Sequence, residues 1–165
     1  MRKKPLDKAP CPIARTVARI GDAWSVLILR EAFYGTARFD EFEKSLGIAP
    51  NMLARRLGAL VDEGLLERRS YCERPPRFEY VLTPRGRDFR PVLLTLLAWG
   101  NRHFAPEGES VQLVERETGV RVDPMLVDAA NGRAITETTH VLVPGPAASE
   151  GMRQRLCRAA GVVRN

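Results

Sequence analysis

Three groups of side chains in this 165-residue chain have types and spacing suited to chemistry. The first lies in a segment whose Leu53, Leu57, Leu60 and Val61 recur at helical spacing. With those residues inward, Pro50, Asn51, Met52, Ala54, Arg55 and Arg56 stand at the start and outer side of that helix. Asn pairs bidentately with adenine and Arg with guanine, so this is the chemistry of reading base edges. The second group, Arg68, Arg69, Arg74 and Arg77, surrounds the pair Pro75-Pro76. Such cations reach phosphates or a narrow minor groove; the plainer alternative is a solvated face. The third is a thiol: Cys11 precedes Pro12 at an expected helix N-terminus, with Lys8 and Arg15 nearby. A helix dipole and neighbouring cations favour the thiolate that oxidants attack; the alternative is a small apolar plug. Cys72 is a second, lower-ranked thiol of this kind.

The groups an enzyme needs are not assembled. The two histidines, His103 and His140, are far apart, and His103 falls in an apolar segment. There is no G-x-S-x-G, P-loop or dinucleotide fingerprint, and no C-x-x-C or H-E-x-x-H pattern. The expectation is therefore no catalysis, no cofactor and no metal.

Charge supports nucleic acid as the partner. The formal charge is +6 and the pI about 9.7. Residues 1–105 hold 19 Lys and Arg against 12 Asp and Glu, whereas residues 106–165 hold 7 against 8. A basic front and a near-neutral back place an anion at the front. No apolar run is long enough to span a bilayer. The basic N-terminus lacks the apolar stretch of a signal peptide. Three scattered cysteines, an odd number, fit reduced thiols in the cytoplasm rather than a disulfide framework.

The elements that position these groups follow from periodicity and punctuation. Residues 1–9 are expected to be a mobile basic arm. Pro12 opens a first helix, with Ile13, Val17 and Ile20 on one face. Asp22 caps a second helix whose inner side carries Trp24, Leu27, Ile28 and Phe33. Phe39, Phe42 and Leu46 mark a short third helix, and Gly47-Ile48-Ala49 joins it to a fourth starting at Pro50. Two short helices around a three-residue glycine-containing turn describe a helix-turn-helix. Leu65–Tyr71 and Phe78–Leu82 read as a hairpin around the tip Cys72–Arg77, the prolines being excluded from the ladder. Thr83 then caps one long helix through Phe104.

Ala105-Pro106-Glu107-Gly108 marks a boundary. Beyond it, Val111–Val114, Met125–Val127 and Thr139–Val143 are expected to be short strands, and Glu150–Ala160 a last helix. No repeat is legible. The expected class is α+β: a winged helix-turn-helix domain over 10–105 followed by a small β-rich extension over 106–165.

Several motifs in this order resemble one family: Cys11-Pro12-Ile13, Ile20-Gly21-Asp22-Ala23-Trp24, Leu27-Ile28-Leu29-Arg30, Arg38-Phe39-Asp40-Glu41-Phe42, Leu57 through Leu65, and Glu73-Arg74-Pro75-Pro76-Arg77 through Thr83. Together they resemble the HxlR family of winged-helix bacterial transcription regulators, within the MarR-like group, over about residues 10–104. The resemblance implies a homodimer joined through its first and last helices, reading a pseudo-palindrome in double-stranded DNA. The apolar residues Ile13, Val17, Leu96, Leu97, Trp99 and Phe104 suit that interface, unless they only close the monomer core. Repression by occluding polymerase is the expected output; a winged helix used only for protein contacts is the alternative.

Three further features come from the resemblance. The Cys-Pro cysteine senses oxidants in some relatives, which makes Cys11 the candidate for an oxidant or small-molecule effector. Relatives usually carry Ser where this chain has Ala49, so its recognition helix lacks a side-chain cap. Longer relatives end in a zinc-knuckle-like ribbon whose cysteines would fall at Thr118, Asp128 and Asn131. Those residues are poor zinc ligands, and a metal-free ribbon over 109–145 is expected.

Overall fold

The computed structural model describes residues 6–159. After a 3-10 turn at Leu6–Lys8 come α1 (Pro12–Ile20), α2 (Ala23–Phe33), α3 (Phe39–Leu46) and α4 (Pro50–Asp62). The hairpin β1 (Leu66–Glu73) and β2 (Pro76–Leu82) follows, then α5 (Pro84–Arg87), α6 (Arg90–His103) and α7 (Glu150–Ala159). This is the α+β winged helix-turn-helix expected from the sequence. Of the arm over 1–9, residues 1–5 lie outside the described residues. The rest holds the 3-10 turn, and Arg15 Nε donates to the Ala9 carbonyl at 2.5 Å. Of the last expected helix, Ala160 lies outside the described residues.

The core lies where α2, α3, α4 and the base of the hairpin meet. Ile28 and Leu29 of α2, Phe42 of α3, Leu53, Leu57 and Leu60 of α4, and Leu66 of β1 are buried. Each α4 member recurs at three or four residues, one stripe of a helix facing inward. Asp22 caps α2 as expected, accepting from the Ser25 N–H at 3.0 Å. Gly47 ends α3 with φ +60°, a left-handed turn that a side chain would strain, and so sets the sharp step into α4.

Four details depart from expectation. The segment after Thr83 is two helices, not one. Thr83 does cap, accepting from Gly86 N–H at 3.0 Å. Pro91, however, has no N–H to continue the ladder, and its ring excludes the carbonyl four residues back, so α6 starts afresh at Arg90. The hairpin is longer than expected: Cys72 pairs with Arg77 and Glu73 with Pro76, leaving Arg74–Pro75 as the tip. Pro76 is tolerated because it is the first residue of its strand. Tyr71 is the extra residue of a bulge. A third segment also joins the hairpin, since Arg38 bridges Glu79 and Tyr80 N–H donates to the Ala37 carbonyl at 2.7 Å.

The fourth departure concerns the extension. The strands expected at Val111–Val114, Met125–Val127 and Thr139–Val143 do not form ladders. Instead, two tight turns are each closed by a single bridge, Val114 to Arg121 and Val127 to Ala134. The two turns are a repeat offset by 13 residues. Leu113-Val114-Glu115 with Thr118-Gly119 and Val122 matches Leu126-Val127-Asp128 with Asn131-Gly132 and Ile135. The hydrogen bonds repeat as well: Glu115 N–H to Val120 carbonyl and Asp128 N–H to Arg133 carbonyl, then Gly119 N–H to Glu115 and Gly132 N–H to Asp128. At the positions matched to metal-binding cysteines, Thr118 Oγ1 donates to Glu115 Oε2 and Asn131 Nδ2 to Asp128 Oδ2, both at 2.6 Å. With no second sheet among the described residues to pair against, such short segments curl onto their own turns. Among the described residues no helix is long and apolar enough to cross a membrane.

Candidate nucleic-acid interface

The residues of α4 sort by the 3.6-residue period. Its first two turns are exposed at Pro50, Asn51, Ala54 and Arg55, while Met52 is half-buried against the core. Ala49 stands at the N-cap with an extended backbone and no side-chain hydrogen bond, so the first N–H groups of α4 point outward without an internal acceptor. Arg55 lies along this face, its Nη2 3.0 Å from the Met52 sulfur. Asn51 and Arg55 thus share an uncapped, electropositive helix start.

Arg56 is placed differently. It is half-buried and turned back toward the start of α2, with Nε 3.2 Å from Asp22 Oδ1. That nitrogen is buried and donates no hydrogen bond, so the contact is Coulombic rather than directional. Because Asp22 also holds the α2 N-terminus, Arg56 ties α4 to the helix behind it.

The hairpin cations divide in the same way. Arg69 donates to Glu67 at 2.8 Å, and this hydrogen bond holds the Glu67 carboxyl below its ordinary range. Arg68 lies over the Phe78 ring, its guanidinium carbon 3.5 Å from the centroid. Arg74 and Arg77, with Pro75 and Pro76, are exposed around the tip, and neither arginine makes a salt bridge among the described residues. The tip is therefore where free positive charge is presented. Cys72 sits beside it, half-buried, with its sulfur 3.6 Å from the Arg74 carbonyl.

One further cation escaped the reading of the sequence. Arg38 precedes α3, is exposed, and lies over the Tyr71 ring at 4.8 Å. It joins the hairpin to the first helix of the helix-turn-helix on the cationic side. The signal was present, since Arg38 begins a motif noted above, but the bridge to β2 depends on pairing across 41 residues.

Of the expected dimer residues, Ile13, Val17, Leu96, Trp99 and Phe104 are exposed, Ile13 at 73% and Phe104 at 68%. Leu97 is half-buried and turns toward the extension. Trp99 and Phe104 stack edge to face with ring centroids 4.9 Å apart. Cys11 is a free, half-buried thiol at the N-cap of α1. Among the described residues no group of three His, Cys, Asp or Glu is placed to hold a metal.

Known proteins resemble this chain in sequence and in fold. Residues 19–108 match the HxlR-like helix-turn-helix family model. An uncharacterised HTH-type transcriptional regulator of Mycobacterium tuberculosis is 38% identical over 135 residues, spanning 81% of this chain and 85% of its own. A solved structure from Pseudomonas aeruginosa, described as a candidate transcription factor, is 56% identical, with TM-score 0.62 over 88% of this chain and all of that one. The redox regulator HypR in its oxidised form is 33% identical, with TM-score 0.53 over 56% of this chain and 97% of that one. A helix-turn-helix with an open helix start beside a cationic wing, matched by that family model over more than half the chain, makes this protein a member of the HxlR-like helix-turn-helix family of DNA-binding transcriptional regulators.

Proposed function

We propose that the chain acts as a homodimeric repressor that sets α4 of each protomer into successive major grooves of a pseudo-palindromic operator. The observation that carries this reading is the exposed, uncapped start of α4, where Asn51 and Arg55 stand together with nothing among the described residues covering them. A B-DNA major groove admits a helix, and its base edges match these two side chains. Arg74 and Arg77 at the wing tip contact phosphate or the adjacent minor groove. Residues 10–105 supply these contacts and the dimer surface, which the exposed Ile13, Val17, Leu96, Trp99 and Phe104 form. Cys11 lies at the start of α1 near that surface, and an oxidant acting there would alter the dimer; HypR, a redox regulator, supports this assignment by similarity.

Selection of bound DNA from a random pool, followed across a salt series, tests the reading. The expected result is an enriched inverted repeat with half-sites about one helical turn apart. Arg55→Ala then weakens the selected site by about tenfold or more and relaxes one base position. Arg74→Ala weakens all sequences alike and lowers the salt slope by about one. Steep salt dependence without an enriched sequence would overturn specific recognition.

A further inference from the structure

The extension leaves its apolar side chains in water. From residue 106 to 149 no side chain is buried, and the best covered are half-buried. Its first turn is fastened to its own protomer: Asn101 Nδ2 of α6 donates to the Val111 carbonyl at 2.9 Å, and Arg121 pairs with Glu109 at 2.6 Å beside it. That docking leaves a groove of about 320 Å³ along α6, between Leu94, Thr95, Ala98 and Trp99 on the helix and Met125 and Leu126 on the extension, with Arg102 at its rim. Further along, Val141-Leu142-Val143 is an apolar run outside any helix or strand. Leu142 is 77% exposed, and the run makes no backbone hydrogen bond among the described residues. Ordering such a segment costs conformational entropy that its own contacts do not offset, so its apolar side chains need cover from outside.

Charge and area point to the surface that supplies this cover. The helices α1 and α6 carry Arg15, Arg19, Arg90 and Arg102 and no carboxylate. Two copies meeting through those helices alone would set cation against cation. Residues 106–149 hold seven Asp and Glu against three Arg, and over residues 134–149 Glu137 is the one charged side chain. The extension of one copy thus brings to the α6 face of another the charge that face lacks. The groove is also continuous with the exposed patch on the same helix, since Trp99 lines the one and belongs to the other with Leu96 and Phe104. Those three side chains, with Met125, Leu126 and the run Val141-Leu142-Val143, leave on the order of 1,000 Å² in water, against the roughly 800 Å² that each partner of a standard interface buries.

We propose that the extension is a dimerisation arm: Val141-Leu142-Val143 of each protomer lies in the groove between α6 and residues 124–126 of a second copy of this chain. The contact is reciprocal about a two-fold axis, so each groove gains an apolar filling and each cationic helix face an acidic neighbour. Leu142, the most exposed side chain of the run, is the anchor. The arm adds to the α1 and α6 surface, and the proposal rests on the dimer reading above. The spacing of the two α4 helices is then held in part by residues outside the winged domain.

Photo-crosslinking of the full chain tests it, with p-benzoylphenylalanine in place of Leu142. Nitrogen-15-labelled and unlabelled protein are mixed, and their subunits exchanged by dilution and reconcentration. The expected result is a covalent dimer whose crosslinked peptides join position 142 to residues 91–102 or 124–126 and pair a labelled with an unlabelled chain. Leu142→Asp should raise the dimer dissociation constant at least about tenfold in sedimentation. The thermal melt of the winged domain is retained in that variant, since Leu142 is not in the core. Crosslinks confined to chains of one label would mean an arm folded onto its own protomer and overturn the proposal. So would a dimer that forms no crosslink to the groove, or one that Leu142→Asp leaves at wild-type affinity; in both cases a dimer through α1 and α6 still stands. A wild-type chain that sediments as a monomer overturns the dimer reading and this proposal together.

Discussion

Single residues in this protein divide between those that hold the frame and those left free to act. Arg55 and Arg56 are neighbours in sequence, yet one lies on the open face of α4 and the other faces Asp22. A helix turns 100° per residue, so adjacent arginines cannot share a role unless the helix is exposed all round. Only the position of α2 decides which of the two is tied back. Glu41 is a frame residue of another kind. Its carboxylate accepts from the backbone N–H groups of Arg38 and Ala37 at 3.0 and 3.3 Å, and these bonds hold its titration below the ordinary 4.5. A carboxyl depressed in the folded state adds stability above its unfolded titration point and loses it as pH falls through the folded one. Thermal melts of Glu41→Gln from pH 7 to pH 2 should therefore fall below wild type at neutral pH and converge with it in acid. A constant difference at every pH would assign the effect to packing instead.

At the scale of elements, helix ends carry the argument. Asp22 and Thr83 cap α2 and α5 through their own side chains, whereas Ala49 cannot cap α4. Ala49→Ser supplies the missing acceptor and should raise stability by about 1 kcal/mol, a rise in Tm of a few degrees. If the open N–H groups serve DNA phosphate, the same substitution weakens operator binding, which a gel-shift titration would read. Gly86, within the short helix α5, has a different constraint. A Cβ built there would lie 2.1 Å from the Leu65 carbonyl oxygen, a backbone atom with little room to yield. Gly86→Ala should cost roughly 1–3 kcal/mol in urea unfolding, the penalty of forcing atoms into a closed space. Both ends were legible as residue types, Ala before Pro50 and Gly after Thr83. The close approach at Gly86 was not, because it joins segments 21 residues apart.

At the scale of the molecule, exposed apolar surface points to assembly. Ile13, Val17, Leu96, Trp99 and Phe104 leave more large apolar side chains in water than scattered surface residues explain. If the chain is the homodimer proposed above, Trp99→Asp should convert it to a monomer in sedimentation at micromolar concentration, with the melting profile of the winged domain retained, since Trp99 is not in the core. A wild-type chain that sediments as a monomer would overturn the dimer, and a dimer unchanged by the substitution would overturn this interface. The extension shows where local reading fails. Its valines have strand propensity, but propensity without a partner edge makes turns closed by one bridge. Its 13-residue repeat is present in the sequence but masked, because only Leu, Val, an acid, Gly and one further apolar position recur among differing residues.

The sequence by itself determined the first four helices of the winged domain, the hairpin that follows them, their order and the basic tip. These rest on short-range physics: apolar periodicity, capping residues, glycine and proline punctuation, and the placement of charge. Tertiary structure alone decided which cations are free. Arg56 was drawn to Asp22, Arg69 to Glu67 and Arg68 onto Phe78, while Arg38 was brought to the wing and Arg74 and Arg77 make no salt bridge among the described residues. A charge acts through what lies within a few ångströms of it, and that neighbourhood is made by packing between elements rather than by order along the chain.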